Sequence, residues 1–192
     1  MRPEHFVSLQ DLGFECINYY FGKGGQEIGL TREELDSSGI TDETLWVHSD
    51  VISPLTKAKS IINNHGMGIA IKDAWRPKKL YEEIVKHRRA KGVPVEELIN
   101  IESMPHATGK AVDVVLTDLE TGKVIWTRNQ ERDGIECCFV DFYRNKHDAE
   151  SIKYQNLQSL LLNAFLANGF VLGPRRESWH FQLPDTMESE RF

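Results

Sequence analysis

Between positions 111 and 117 the chain reads Ala-Val-Asp-Val-Val-Leu-Thr, a β-rich run interrupted by a single carboxylate. On a strand, Ala111, Asp113 and Val115 share one face, and Val112, Val114 and Leu116 share the other. An ionised carboxylate buried there without a partner is strongly disfavoured. Asp113 therefore requires a cation, a set of hydrogen-bond donors, or solvent, and the fold has to supply one of them. Taken alone, the segment also fits a carboxylate on the wet face of an edge strand.

Two flanking segments bear on that choice. Upstream lies His106-Ala-Thr-Gly109-Lys-Ala111-Val-Asp113, and far downstream lies Glu177-Ser-Trp-His180. Two imidazoles and one carboxylate can hold a zinc ion and leave its fourth position open for water, as in catalytic rather than structural zinc sites. Glu177 is then left over to take a proton from that water. His106 reaches in from the loop before the strand, and Gly109 lets that loop turn tightly. Alternation over Trp179-His180-Phe181 sends both aromatics into the core and His180 the other way. Glu177 would lie on the far side of a straight strand, so it has to come from the bend after Gly173-Pro174. His180 alone reads equally as a hydrogen-bonded structural residue.

A third piece is Asp73-Ala-Trp-Arg76-Pro77, at the junction of a strand and a helix. The Arg76 guanidinium offers a permanently charged, planar fork of donors. Beside a metal-polarised carbonyl it would stabilise a developing oxyanion. The alternative is a salt bridge to Asp73.

The segments expected between these pieces run as follows. Residues 1–50 are turn-rich. A helix spans Leu55 to Asn64, with Ser53-Pro54 before it and Gly66 after it. Met67 to Asp73 is a strand, Lys78 to Ala90 a helix, and Val95 to Asn100 a short helix. The strand Ala111 to Thr117 joins Val124 to Trp126 as a hairpin. Residues 128–148 read as a long loop, and Ser151 to Asn168 as a helix stopped by Asn168-Gly169. Phe170 to Leu172 and Trp179 to Leu183 close the chain as strands. Helices and strands without regular βαβ alternation give an α+β class, organised as one domain over residues 1–192.

Composition narrows the function classes. The net charge of −6 over 192 residues argues against nucleic-acid binding, which needs a basic field. The run Lys86 to Lys91 is read as a solvated helix face. No apolar run reaches the roughly 18–20 residues that cross a bilayer, and the first residues lack a secretory h-region. The expectation is a cytoplasmic protein with no membrane or nucleic-acid partner; the sequence sets no oligomeric state. Cys16, Cys137 and Cys138 form no C-x-x-C and are expected to be reduced thiols.

The combination His-x-x-Gly-x-Ala-x-Asp, Glu-x-Trp-His and Asp-Ala-aromatic-Arg-Pro resembles the zinc D-alanyl-D-alanine dipeptidases, a group that includes the vancomycin-resistance dipeptidase. That group sits among the D-Ala-D-Ala carboxypeptidases and shares its zinc-site fold with the hedgehog domain. The likeness covers roughly residues 50–183. It implies a small central antiparallel sheet carrying one zinc ion, flanked by helices, with His106, Asp113 and His180 as ligands. It also implies Glu177 as general base, Arg76 as oxyanion support, and a small peptide of the D-Ala-D-Ala type as substrate. Two departures stand out. Met104 replaces the usual serine two residues before the first histidine. The acid that holds the substrate amine is expected at Val140, which leaves Asp141 as its candidate. Two alternatives follow: a peptidase of altered specificity, or a zinc-containing peptide-binding protein without hydrolytic activity.

Overall fold

The structure is a computed structural model that describes residues 4–93, 104–173 and 175–184. It is of the α+β class. The strands are β1 (Phe6–Ser8), β2 (Glu15–Cys16), β3 (Trp46–His48), β4 (Met67–Asp73), β5 (Ala111–Asp118), β6 (Val124–Ile125), β7 (Val171–Leu172) and β8 (His180–Gln182). The helices are α1 (Lys23–Ile28), α2 (Arg32–Ser37), α3 (Ile52–Asn63), α4 (Lys78–Ala90), α5 (Gln130–Asp133) and α6 (Ala149–Leu166). β1 and β3 pair antiparallel as a two-stranded sheet. A six-stranded sheet runs in the order β2-β4-β5-β8-β7, with β6 paired to β5. The β5–β6 and β7–β8 pairs are antiparallel, with Leu116 opposite Ile125 and Leu172 opposite Phe181.

The chain divides into two compact units, residues 1–49 with 71–112, and residues 50–70 with 113–192. The core of the first unit gathers Tyr20, Ile28, Leu35, Ile40, Leu80, Tyr81 and Ile84. Leu80, Tyr81 and Ile84 form the buried stripe of α4, at helical spacing. α2 is closed at its start by a capping box, in which Thr31 accepts from the Glu34 backbone and the Glu34 side chain accepts from Thr31. Glu34 also bonds His87 and Lys86 on α4. Thr31 foremost, then His87, holds its carboxyl down at about 2.

In the second unit α3 packs on α6, presenting buried Leu55, Ala58 and Ile62. Phe165 of α6 stacks on Phe181 of β8 with ring centres 4.2 Å apart and meets Phe170 at 5.1 Å. α6 starts at Ala149, two residues before the sequence expectation, because the Asp148 side chain accepts from the Ser151 N–H.

Residues 128–148, expected as a loop, are structured. Asn129 caps α5, and a 3-10 turn follows over Ile135–Cys138. Tyr143 is buried there and donates its hydroxyl to Asp133 at 2.8 Å. Polar pairs tie the segment down, with Arg132 bonded to Asp133, Asp148 and Glu150, around a small buried cluster of Cys137, Tyr143 and Tyr154. The segment lacks the apolar period that marks a helix in sequence. The helix expected over Val95–Asn100 lies outside the described residues. Among the described residues, no helix is long and apolar enough to cross a membrane.

Candidate functional site

In the first unit, His106 lies in the 3-10 turn Pro105–Thr108 that leads into β5, and it is buried. Its Nδ1 stands 2.7 Å from the Ala74 carbonyl oxygen. A carbonyl only accepts, so Nδ1 carries the proton and the lone pair is on Nε2. The His106 N–H donates to the Tyr81 hydroxyl at 3.2 Å, and its carbonyl accepts from the Arg76 N–H at 3.1 Å. Gly109 closes the turn at φ 70°, where a Cβ would lie 2.3 Å from the Phe6 ring. The tight loop expected from sequence is therefore one that only glycine allows.

Arg76 is buried just beyond the end of β4. Its Nε donates to Asp73 Oδ2 at 3.0 Å, and an Nη donates to the same oxygen. Asp73 Oδ1 accepts from the Ala74 N–H at 2.9 Å. The guanidinium lies 4.9 Å from the Tyr20 ring centre and 4.5 Å from that of Tyr81, within cation–π range of both. The salt bridge considered as the alternative role for Arg76 is thus present. Neither tyrosine carried a motif signal.

In the second unit, Asp113 finds its partner in His180: Oδ1 stands 2.8 Å from Nδ1. Nε2 of the same imidazole stands 3.2 Å from Gln182 Oε1. Burial pushes the imidazole pKa down. The hydrogen bond and charge of Asp113, with the charge of Glu177 and the bond to Gln182, outweigh it and leave the group above its ordinary 6.5. Gly173 packs against this ring, where a Cβ would come 2.7 Å from Cδ2 and 3.0 Å from Nε2. Gly173 is therefore a site residue, although the sequence marks it only as part of a turn.

Glu177 is half-buried and comes from the bend that the sequence requires. The Arg176 N–H donates to the Gly173 carbonyl at 2.8 Å, and Arg176 takes a left-handed φ of 55°. Glu177 then forms an isolated antiparallel bridge with Phe139. The bridge is framed by Val140 N–H to Arg176 O and Ser178 N–H to Cys138 O, both 2.9 Å. Trp179 corrects one expectation. It is half-buried beneath Arg128, whose guanidinium carbon lies 3.9 Å from its ring centre, so of the two aromatics only Phe181 enters the core.

Asp141 sits at φ 75° with an exposed carboxylate that pairs with Arg176 at 3.0 Å and Arg144 at 3.2 Å. Burial pushes the Cys138 thiol up to about 11 and raises that of Cys137. All three cysteines are free, and this buried pair is held in the unreactive protonated form.

His106, Asp113 and His180 each offer one ligand atom, and the three atoms all lie within 4.8 Å of one another. Tetrahedral zinc with bonds of about 2.0–2.2 Å sets its ligand atoms about 3.4 Å apart, so the group is compact enough to hold it. A donor set of two imidazoles and a carboxylate suits zinc. The Ala74 carbonyl on His106 Nδ1 is the outer hydrogen bond that orients metal-bound imidazoles. Glu34, Glu83 and His87 also converge, but there Glu34 already serves α2, His87 and Lys86.

No protein-family profile matches the chain. The chain is similar to a D-alanyl-D-alanine dipeptidase. That relative, from Escherichia coli strain K12, is 27% identical over 140 residues, covering 72% of this chain and 66% of the relative. The match thus spans just under two thirds of the relative's length. The solved structure of an L-Ala D-Glu endopeptidase from Serratia marcescens aligns with a TM-score of 0.39 and 18% identity, over 72% of this chain and 80% of that one. That likeness is too distant to bear on the fold or the site.

Proposed function

We propose that the protein is a zinc-dependent peptidase that cleaves D-Ala-D-Ala or a related short peptidoglycan-derived peptide. The observation that carries the reading is the convergence of ligand atoms from His106, Asp113 and His180, with the negative charge of Glu177 acting on His180. Similarity to the dipeptidase supports the substrate class.

When bound, one zinc ion supplies Lewis-acid polarisation of the scissile carbonyl and lowers the pKa of water at its open position. Glu177 takes a proton from the attacking water and passes it to the leaving amine nitrogen as the C–N bond breaks. Arg76, oriented by Asp73 and the two tyrosines, is the cation assigned to stabilise the developing oxyanion. His180 would hold the metal as the neutral imidazole. The pairing of Asp141 with Arg176 and Arg144 favours a second reading within the same chemistry. A substrate ammonium at Asp141 would share or exchange that carboxylate with an arginine, and the second reading is a peptidase whose preferred peptide differs from D-Ala-D-Ala.

The test is release of D-alanine from D-Ala-D-Ala, within a panel of D- and L-dipeptides with free and blocked amino ends. Release should stop on chelation and return with zinc. Glu177→Gln should retain zinc and lose roughly 10²–10⁴-fold in turnover, the scale of a positioned base. A protein that binds zinc yet cleaves no member of the panel would leave only the peptide-binding alternative.

A further inference from the structure

Four arginines border the segment that carries Glu177, and three are committed. Arg176 pairs with Asp141, Arg144 pairs with the same carboxylate, and Arg128 covers Trp179. Arg175 differs. Its Nη1 is buried and, among the described residues, has no hydrogen-bond partner. A guanidinium N–H removed from water without an acceptor is costly, and more so because the group is charged. The backbone turn that presents it is fixed at both ends: Gly173 presses on the His180 ring, and Arg176 donates back to Gly173. The same segment holds a second unmatched group, the fully buried Ser178 hydroxyl. Two polar side-chain atoms in the stretch that carries Glu177 are thus buried and unsatisfied, and one of them belongs to a guanidinium.

We propose that Arg175 is a substrate-recognition residue that binds a carboxylate of the peptide. This deepens the peptidase reading and rests on it for the identity of the ligand as a peptide. An anion is the chemistry that satisfies a buried guanidinium N–H and its charge together. The carboxylate has two sources, the C-terminal α-carboxylate or an acidic side chain, and both present the same two oxygens.

The test is direct binding, measured calorimetrically on the full chain with and without zinc. N-acetyl-D-alanine carries the α-carboxylate, N-acetyl-D-isoglutamine carries only the side-chain carboxylate, and N-acetyl-D-alaninamide carries neither. The wild type should bind at least one of the acids about tenfold or more tighter than the amide. Arg175→Met should abolish that preference while binding of the amide is unchanged, and Arg175→Lys should keep part of it. An unchanged acid-to-amide ratio in Arg175→Met, or no preference in the wild type, overturns the assignment. Thermal unfolding of each variant separates loss of recognition from loss of fold. Binding that depends on Arg175 without any hydrolysis would sink the peptidase reading and leave this one standing. Hydrolysis with no role for Arg175 would do the reverse.

Discussion

Gly173→Ala is the most informative single-atom change that this structure offers. The added methyl would lie 2.7 Å from His180 Cδ2 and 3.0 Å from Nε2, whereas carbon atoms rest at about 3.5–4.0 Å. Relief needs a shift of roughly 0.8 Å or more. The imidazole cannot yield freely: Asp113 holds Nδ1 at 2.8 Å, Gln182 lies 3.2 Å from Nε2, and Phe181 beside it is stacked on Phe165. Overpacking of this kind costs about 1–3 kcal/mol. Disturbing the outer support of a metal ligand costs roughly 10–100-fold in metal affinity. The expected result is therefore a lowered Tm together with zinc binding weakened at least tenfold, read by competition against a chromogenic chelator. Wild-type zinc affinity in a folded Gly173→Ala protein would refute the idea that this close contact fixes the imidazole for its metal.

Two other perturbations follow from the first unit. Asp73→Ala strands the buried Arg76 charge and should lower unfolding free energy by about 3–5 kcal/mol in urea. Arg76→Met added to it should recover part of that loss, and a strictly additive double variant would contradict the pairing. Glu34 has a folded pKa of about 2, below its ordinary 4.5. Its contribution to stability is thus present above 4.5 and is lost as pH falls toward 2. Glu34→Gln should flatten the acid limb of Tm against pH in that window, and an unchanged limb would show that the cap and the His87 contact do not matter.

Much of this architecture was legible because it rests on local rules. β4 and α4 follow directly from the apolar run Met67 to Asp73 and from Pro77 before a helix-period stripe, and they match at both ends. The β5–β6 hairpin is announced by the turn between its strands, and Gly109 by the tightness of its loop. The first fifty residues were not legible, because their strands run two or three residues and pair with partners far along the chain. The same holds for the environment of the candidate site. Tyr20, Tyr81, the Ala74 carbonyl and Gly173 act through contacts set by tertiary packing, which leave no spacing in the sequence. Trp179 illustrates the limit of alternation: Arg128, 51 positions upstream, offers the indole a cationic cover at the surface.

A peptidase of this kind needs one divalent ion held jointly by His106, Asp113 and His180, and anomalous diffraction at the zinc edge from zinc-loaded crystals would locate it. The predicted result is one peak per chain, within about 2.0–2.2 Å of His106 Nε2, an Asp113 oxygen and a His180 nitrogen. A peak elsewhere, or no peak in crystals kept in saturating zinc, would rule this joint site out.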